Sequence, residues 1–324
     1  QYIRTKFGIT YILLTPEIEQ ISFSFVEPEQ IVKIDEILKA LGIALQKDYK
    51  DIDTILAFCE FLSEAFYTPL LEYLVDRKID KVYILSDNST TFFSPNLIRS
   101  KGRWLIEKVS AIENIIDYNA IKNREQERLF GNLVIGKAFG KQQDAAINDI
   151  RQWMNSYKGE TQFIALTDSD NNIGTLENIC EKEKPKVLII SGHGVPDPNS
   201  GIFDGAVALE GNKKIIWIED LADVFKYCEN LILISCRGGI PFEDQIETNT
   251  GIWGSILERP ISRVIMCKWD VPVKSTIKIL NSLVKSLPSF DWDLPRALLA
   301  AQKELIKNSD CNPSSWAGLE CWKN

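Results

Sequence analysis

The stretch KPKVLIISGHGVPDP, residues 184–198, joins an uninterrupted apolar run to a segment rich in glycine and proline. Short runs of Val, Ile and Leu without polar alternation are typical of strands covered on both faces, as in parallel sheets. The one histidine of the 324-residue chain, His193, lies where this run ends. The stretch therefore predicts a buried parallel strand that ends next to a titratable side chain.

Similar apolar runs recur along the chain and alternate with segments of helical periodicity. The expected strands are 81–87, 132–139, 162–168, 186–192, 230–236 and 263–271. The expected helices are 141–157, 175–184 and 218–228. Strand–helix–strand repetition of this kind predicts an α/β fold built on a mostly parallel sheet flanked by helices.

The first eighty residues follow a different pattern. Residues 8–27 are expected to form a β-hairpin, and residues 28–48 and 52–76 two amphipathic helices. No low-complexity linker separates them from the α/β part. We therefore expect an N-terminal α+β lobe that packs on the core rather than an independent module.

Composition excludes several classes of protein. The net charge of −8 argues against non-specific nucleic-acid binding, which needs a basic footprint, and no apolar run is long enough to span a membrane. Seven cysteines without CxxC spacing predict reduced thiols in the cytoplasm, and neither a metal site nor a cofactor is expected. Because the chain starts at Gln1, we expect it to begin inside a longer protein.

A cysteine, Cys236, ends the expected strand 230–236. Cys236 follows His193 by 43 positions, with one expected helix between them; glycines flank His193, and Gly238 and Gly239 follow closely after Cys236. A crossover of this length brings the carboxyl ends of two parallel strands to one edge of a sheet. Functional groups gather at that edge in open α/β folds.

The two side chains together suggest nucleophilic catalysis. A thiolate is a nucleophile, and a neighbouring imidazole can remove the thiol proton and later protonate a leaving amine. The N–H groups of Gly194 and Cys236 are candidates for an oxyanion hole. Taken singly, His193 also fits a structural role, and Cys236 fits a small buried hydrophobe. The pairing favours catalysis.

At these residues the chain resembles the CHAT family, caspase-like cysteine peptidases of clan CD that are often found beside tetratricopeptide repeats. Caspases and separases are more distant relatives with the same order of His and Cys. The resemblance is carried by ISGHG (190–194), LISCRGG (233–239), VIMCKWDV (264–271), LPRALLAAQKEL (294–305), NPSSWAGLECW (312–322) and the segment 68–98. The chain departs from the family pattern at Gly238, where an acidic residue is usual, and at Leu319, where Phe is usual.

The resemblance implies a division of the chain and a role for each site residue. Residues 1–128 would form the N-terminal lobe of a CHAT domain and residues 129–324 a caspase-like catalytic core. His193 would be the general base, Cys236 the nucleophile, and Gly194 part of the oxyanion hole.

Two further aspects of the site stay open at the sequence level. Either Asp197 or Asp204 is a candidate for orienting the imidazole, although a backbone carbonyl could do the same. Trp269 and Asp270 are candidates for the wall of the substrate pocket, with a core aromatic and a turn aspartate as the alternative.

The expected function is a cysteine endopeptidase that cleaves a specific protein partner. The alternative is a catalytically silent CHAT-like module that binds peptides or scaffolds an assembly, and a nucleotide-binding α/β domain is disfavoured because no phosphate-binding glycine motif follows any strand. The long glycine- and proline-bearing segments 194–205 and 237–251 predict a mostly latent chain that an upstream region or a partner activates. The resemblance implies a defence or cell-death system, with an RNA-guided CRISPR effector among the candidates. Acidic residues in the segment 237–251 predict a preference for basic substrates.

Overall fold

In a computed structural model, the described residues are 2–5, 8–13, 22–26, 28–46, 51–73, 79–85, 93–115, 130–138, 148, 162–166, 173–192, 209–211, 214–216, 218–234, 256, 261–269, 271–308 and 312–323. The strands, in chain order, are β1 (Tyr2–Thr5), β2 (Gly8–Leu13), β3 (Ser22–Val26), β4 (Lys81–Leu85), β5 (Arg99–Ser100), β6 (Arg103–Trp104), β7 (Ala111–Ile115), β8 (Gly131–Ala138), β9 (Gln162–Leu166), β10 (Pro185–Ser191), β11 (Leu209–Gly211), β12 (Lys214–Ile216), β13 (Asn230–Ile234), β14 (Arg263–Cys267) and β15 (Leu319–Lys323). The helices are α1 (Pro28–Gln46), α2 (Ile52–Tyr73), α3 (Ile173–Glu183), α4 (Ile218–Phe225), α5 (Val273–Ser286), α6 (Leu294–Asn308) and α7 (Pro313–Trp316). Among these helices, none combines the length and the apolar character that a membrane crossing requires.

One large sheet organises the core. Its eight described strands lie in the order β4-β7-β15-β14-β13-β10-β8-β9. Strands β14, β13, β10, β8 and β9 pair parallel to one another, β15 pairs antiparallel to β14, and β7 pairs parallel to both β15 and β4. The predicted α/β class with a mostly parallel sheet is confirmed.

Both faces of the central strands are buried, which explains why their sequences lack polar alternation. Val187 and Ile189 of β10 belong to one apolar cluster, which includes residues of α5 and α6, and Leu188 and Ile190 belong to a second, which includes residues of α3 and α4. Successive strand side chains point to opposite faces, so a strand covered by helices on each side must be apolar at every position. The core strands are therefore readable from sequence as continuous apolar runs.

All six predicted strands are present, within two residues at their amino ends. Their carboxyl ends fall one to four residues short, and in β14 the strand stops at Cys267 rather than at residue 271. The predicted hairpin corresponds to the antiparallel pair β2–β3, to which β1 adds a third strand. The two N-terminal helices and those at 175–184 and 218–228 are confirmed as α1, α2, α3 and α4, whereas the helix expected over 141–157 lies outside the described residues except for helical Asn148.

Two of the elements that were not predicted contribute to the core. Others, such as β1 and the short pairs β5–β6 and β11–β12, lie outside the large sheet. Strand β7 carries Glu113 and Asn114 in a fully buried segment, so the apolar-run criterion missed it. Helix α5 was missed although its buried residues Ile279, Leu280, Leu283 and Val284 recur at helical spacing. The expected division between residues 128 and 129 falls within the large sheet, since β4 and β7 precede it, and as a functional division it stays a prediction.

Gly318 allows the turn before β15 to pack closely against the end of β14. A Cβ atom on Gly318 would lie 2.4 Å from Val271 Cγ2 and 2.9 Å from Trp269 Nε1. The same turn is anchored by Asn96, whose Nδ2 donates to the carbonyls of Ala317 (3.1 Å) and Leu319 (2.7 Å). Only glycine fits at position 318 without moving these neighbours.

We therefore expect Gly318→Ala to lower the free energy of unfolding by about 1–3 kcal/mol, the usual range for overpacking a core. The matched control is Gly42→Ala in α1, where an added Cβ has open space within 4 Å. That change should be neutral or stabilise by up to about 1 kcal/mol, because alanine favours helix. Urea unfolding of both variants measures the difference, and equal effects would contradict the close packing at residue 318.

Candidate active site

The carboxyl ends of β10 and β13 lie side by side. The parallel register pairs Ser191 with Ile234, and the Gly192 N–H extends the pairing by donating to the Ile234 carbonyl at 2.9 Å. Both Ser191 and Gly192 are buried. The chain therefore leaves the sheet after β10 and after β13 at the same level and at neighbouring positions.

Most of the predicted site residues follow directly after these strand ends. His193 comes two positions after Ser191, and Cys236 comes two positions after Ile234. The predicted residues outside the described part of the chain are His193, Gly194, Asp197, Asp204, Cys236 and Asp270. The structure thus describes the strands that lead to the predicted dyad, and the roles of these residues stay predictions.

Trp269 is the predicted site residue that the structure does describe, and it lies in the core. Its side chain is 5% exposed, and its indole Nε1 donates to the Ser314 carbonyl at 3.1 Å. These contacts match the alternative of a core aromatic. Lining of a substrate pocket by Trp269 stays a prediction, and so little exposed surface leaves at most one edge of the ring for it.

A buried ion pair lies next to Trp269. Lys268 Nζ lies 3.1 Å from Glu320 Oε1, with side-chain exposures of 7% and 2%. The second carboxylate oxygen of Glu320 accepts from Asn114 Nδ2 at 3.3 Å. Burial, and then the Glu320 carboxylate, raise the pKa of the nearby Tyr67 hydroxyl above its ordinary value. The surroundings of the end of β14 therefore include a buried charged pair and a phenol that stays protonated.

Of the six other cysteines, Cys311 lies outside the described residues. The other five are buried thiols without a disulfide: Cys59, Cys180, Cys228, Cys267 and Cys321. Burial raises the pKa of Cys59 to about 12 and that of Cys180 to about 12. Burial also raises the thiol pKa values of Cys228 and Cys321 well above the ordinary range. These four thiols stay protonated near neutral pH and act as small hydrophobes. No three His, Cys, Asp or Glu side chains of the described segments come together as metal ligands.

Sequence reasoning missed the buried charges near this edge of the sheet. The motifs that contain Lys268 and Glu320 were recognised without a role for either charge. Lys137 of β8 is also buried, at 1% exposure, in register with Ile190 of β10. Each is a single charged residue inside an apolar run. That pattern is a signal, because a charge in a strand covered on both faces must be compensated.

Comparison with solved structures identifies a related fold. The chain superposes on separase in the Saccharomyces cerevisiae separase–securin complex at 3.0 Å with a TM-score of 0.51 and 12% identity, covering 74% of this chain and 15% of that one. The 2.6 Å structure of the same complex gives a TM-score of 0.48 and 13% identity over the same shares. The chain thus spans a small part of the length of separase, and the likeness concerns the fold alone. No curated protein matches the chain in a sequence search.

The family model of the CHAT domain matches residues 56–323, from the second turn of α2 to the last strand. The resemblance inferred from the sequence motifs is confirmed, and the mostly parallel sheet flanked by helices is the caspase-like fold. This chain belongs to the CHAT domain family.

Proposed function

We propose that this chain is a cysteine endopeptidase in which Cys236 is the nucleophile and His193 the general base. The observation that carries the proposal is the parallel register of β10 and β13, which ends at Ser191 beside Ile234. Two residues of extended chain span at most about 7 Å, and neighbouring strands lie about 4.8 Å apart. This tether allows His193 and Cys236, each two residues beyond the pair, to reach each other.

The proposed reaction uses one proton transfer in each direction. His193 takes the proton of the Cys236 thiol, and the thiolate attacks the carbonyl carbon of the scissile peptide bond. The N–H groups of Gly194 and Cys236 stabilise the oxyanion, and the imidazolium returns the proton to the leaving amine. Water then hydrolyses the thioester, with His193 again acting as base. Asp197, Asp204 or a backbone carbonyl would orient the imidazole.

The state of the other thiols supports Cys236 as the reactive one. Four of the buried cysteines have pKa values raised by burial, so they supply almost no thiolate at neutral pH. A thiol beside an imidazolium would instead have a lowered pKa, because the positive charge favours the thiolate. The substrate would be a protein, and an upstream region or a partner, with an RNA-guided effector among the candidates, would activate the enzyme. Full turnover by the purified chain alone would contradict the need for such a partner.

Cys236→Ala and His193→Ala should each lower peptidase turnover of a mixed fluorogenic peptide library by at least about a thousandfold. The double variant should lose no more than either single one, because the two residues act as one unit. The matched control is Cys180→Ala, which removes a buried protonated thiol and should keep turnover. Near-normal turnover by His193→Ala would refute the dyad.

Specificity gives a separate test of the same proposal. The segment 237–251 carries Glu243, Asp244 and Glu247, and Asp270 follows Trp269. Such carboxylates favour lysine or arginine at the cleaved position, and the preference should weaken as salt rises. Profiling should show this preference reduced when the three acidic residues of the segment are replaced by their amides, but unchanged by Glu181→Gln on the exposed face of α3. A preference for acidic residues would be contrary to this expectation.

A further inference from the structure

The end of β14 is held more tightly than a strand terminus requires. The Lys268 N–H donates to the Gly318 carbonyl at 2.7 Å, and the Trp269 indole donates to the Ser314 carbonyl at 3.1 Å. The missing side chain at Gly318 lets Val271 pack directly on the turn before β15. Backbone hydrogen bonding, a side-chain hydrogen bond and close packing thus act on Lys268, Trp269 and Val271, respectively.

The Lys268–Glu320 ion pair adds a fourth constraint at the same place. Its two atoms lie 3.1 Å apart and its side chains are nearly inaccessible to water. Burying two charges removes their hydration, so an apolar pair of similar volume would serve stability as well or better. What an ion pair supplies instead is a defined geometry, and Asn114 fixes the carboxylate further by binding its second oxygen.

Strand register places this segment beside the proposed nucleophile. β13 and β14 are parallel, and Leu233 is paired with Met266. Lys268 follows Met266 by two positions and Cys236 follows Leu233 by three. The chain that leaves β14 at Lys268 therefore starts next to the chain that leads to Cys236.

We propose that Lys268 and Glu320 are positioning residues: their ion pair fixes the chain at Lys268, Trp269 and Val271 as a wall beside Cys236, against which the substrate peptide lies. The inference rests on the proposed peptidase function and goes beyond it by assigning a role to two residues that do not themselves touch substrate. The ion pair determines the position of this wall. Asp270, the predicted contact for a basic substrate side chain, belongs to the same stretch of sequence. A loosened wall would weaken peptide binding without changing the nucleophile.

The test separates binding of a peptide from reactivity of the thiol. The main variant is Lys268→Met/Glu320→Met, which removes both charges at similar volume and so avoids leaving one charge buried alone. Two reagents are used on each protein: iodoacetamide, which reports the Cys236 thiolate, and an acyloxymethyl ketone on a short lysine-terminated peptide, which must first bind. Labelling of Cys236→Ala is subtracted in every case to remove the signal of other thiols.

In the double variant the inhibition constant of the peptide reagent should rise about tenfold, while the iodoacetamide rate stays within about twofold and the thermal midpoint within a few degrees. The matched control is Arg263→Met/Glu113→Met, which removes the buried 3.1 Å ion pair at the other end of β14 and leaves Lys81 with Asp293. The control should leave the inhibition constant unchanged.

An unchanged inhibition constant in the folded double variant, or an equal rise in the control, would overturn the positioning role. If the double variant does not fold, Glu320→Gln is measured in its place, because it keeps an acceptor for Lys268 and removes only the charge. A rise of less than about twofold in its inhibition constant would then reject the inference. Absence of Cys236-dependent labelling in the unmodified chain would instead reject the peptidase function, and the inference with it.

Discussion

The ladder of backbone hydrogen bonds between β10 and β13 determines where the chain leaves the sheet after each of these strands. The two strands are parallel, they are buried on both faces, and their pairing runs to Ser191 and Ile234. A shift of one residue would turn each buried side chain toward the opposite face and against different neighbours, so close packing favours this register over the alternatives. The site proposed here depends on that register, because each member of the dyad follows its strand end by two residues.

Helix α4 makes this arrangement possible along the chain. It lies between the two strands in sequence and packs Leu221, Val224 and Phe225 into the cluster on one face. A parallel pair needs a connection of this kind, since a tight turn can join only antiparallel strands. The segments that carry His193 and Cys236 therefore begin at one edge of the sheet, directly after strands that are held in the core.

The parts that could be predicted from sequence are those in which each residue has the same environment as its neighbours. Strand β13, NLILI, is apolar because helices cover both its faces, and such a run can be recognised without knowing what covers it. Strand β7, AIENI, is equally buried but contains Glu113, whose ion-pair partners are Lys81 of β4 and Arg263 of β14. Glu320 likewise depends on Lys268, 52 positions away. Each lone charge is visible in the sequence, but the partner that compensates it is distant and leaves no local pattern, whereas His193 and Cys236 could be singled out because each is an unusual residue at the end of a regular strand.

The central claim is that the register of two strands creates an imidazole–thiol pair at Cys236. The most direct measurement is the pH dependence of iodoacetamide labelling of Cys236, in the unmodified chain and in His193→Ala, with Cys236→Ala as the blank. Our account predicts a labelling midpoint below about 8.5, the ordinary pKa of a cysteine thiol, because an adjacent imidazolium favours the thiolate. It also predicts that the midpoint moves up to that value or above it when His193 is replaced. The same midpoint in both proteins would contradict the account, since it would mean that His193 and Cys236 do not meet.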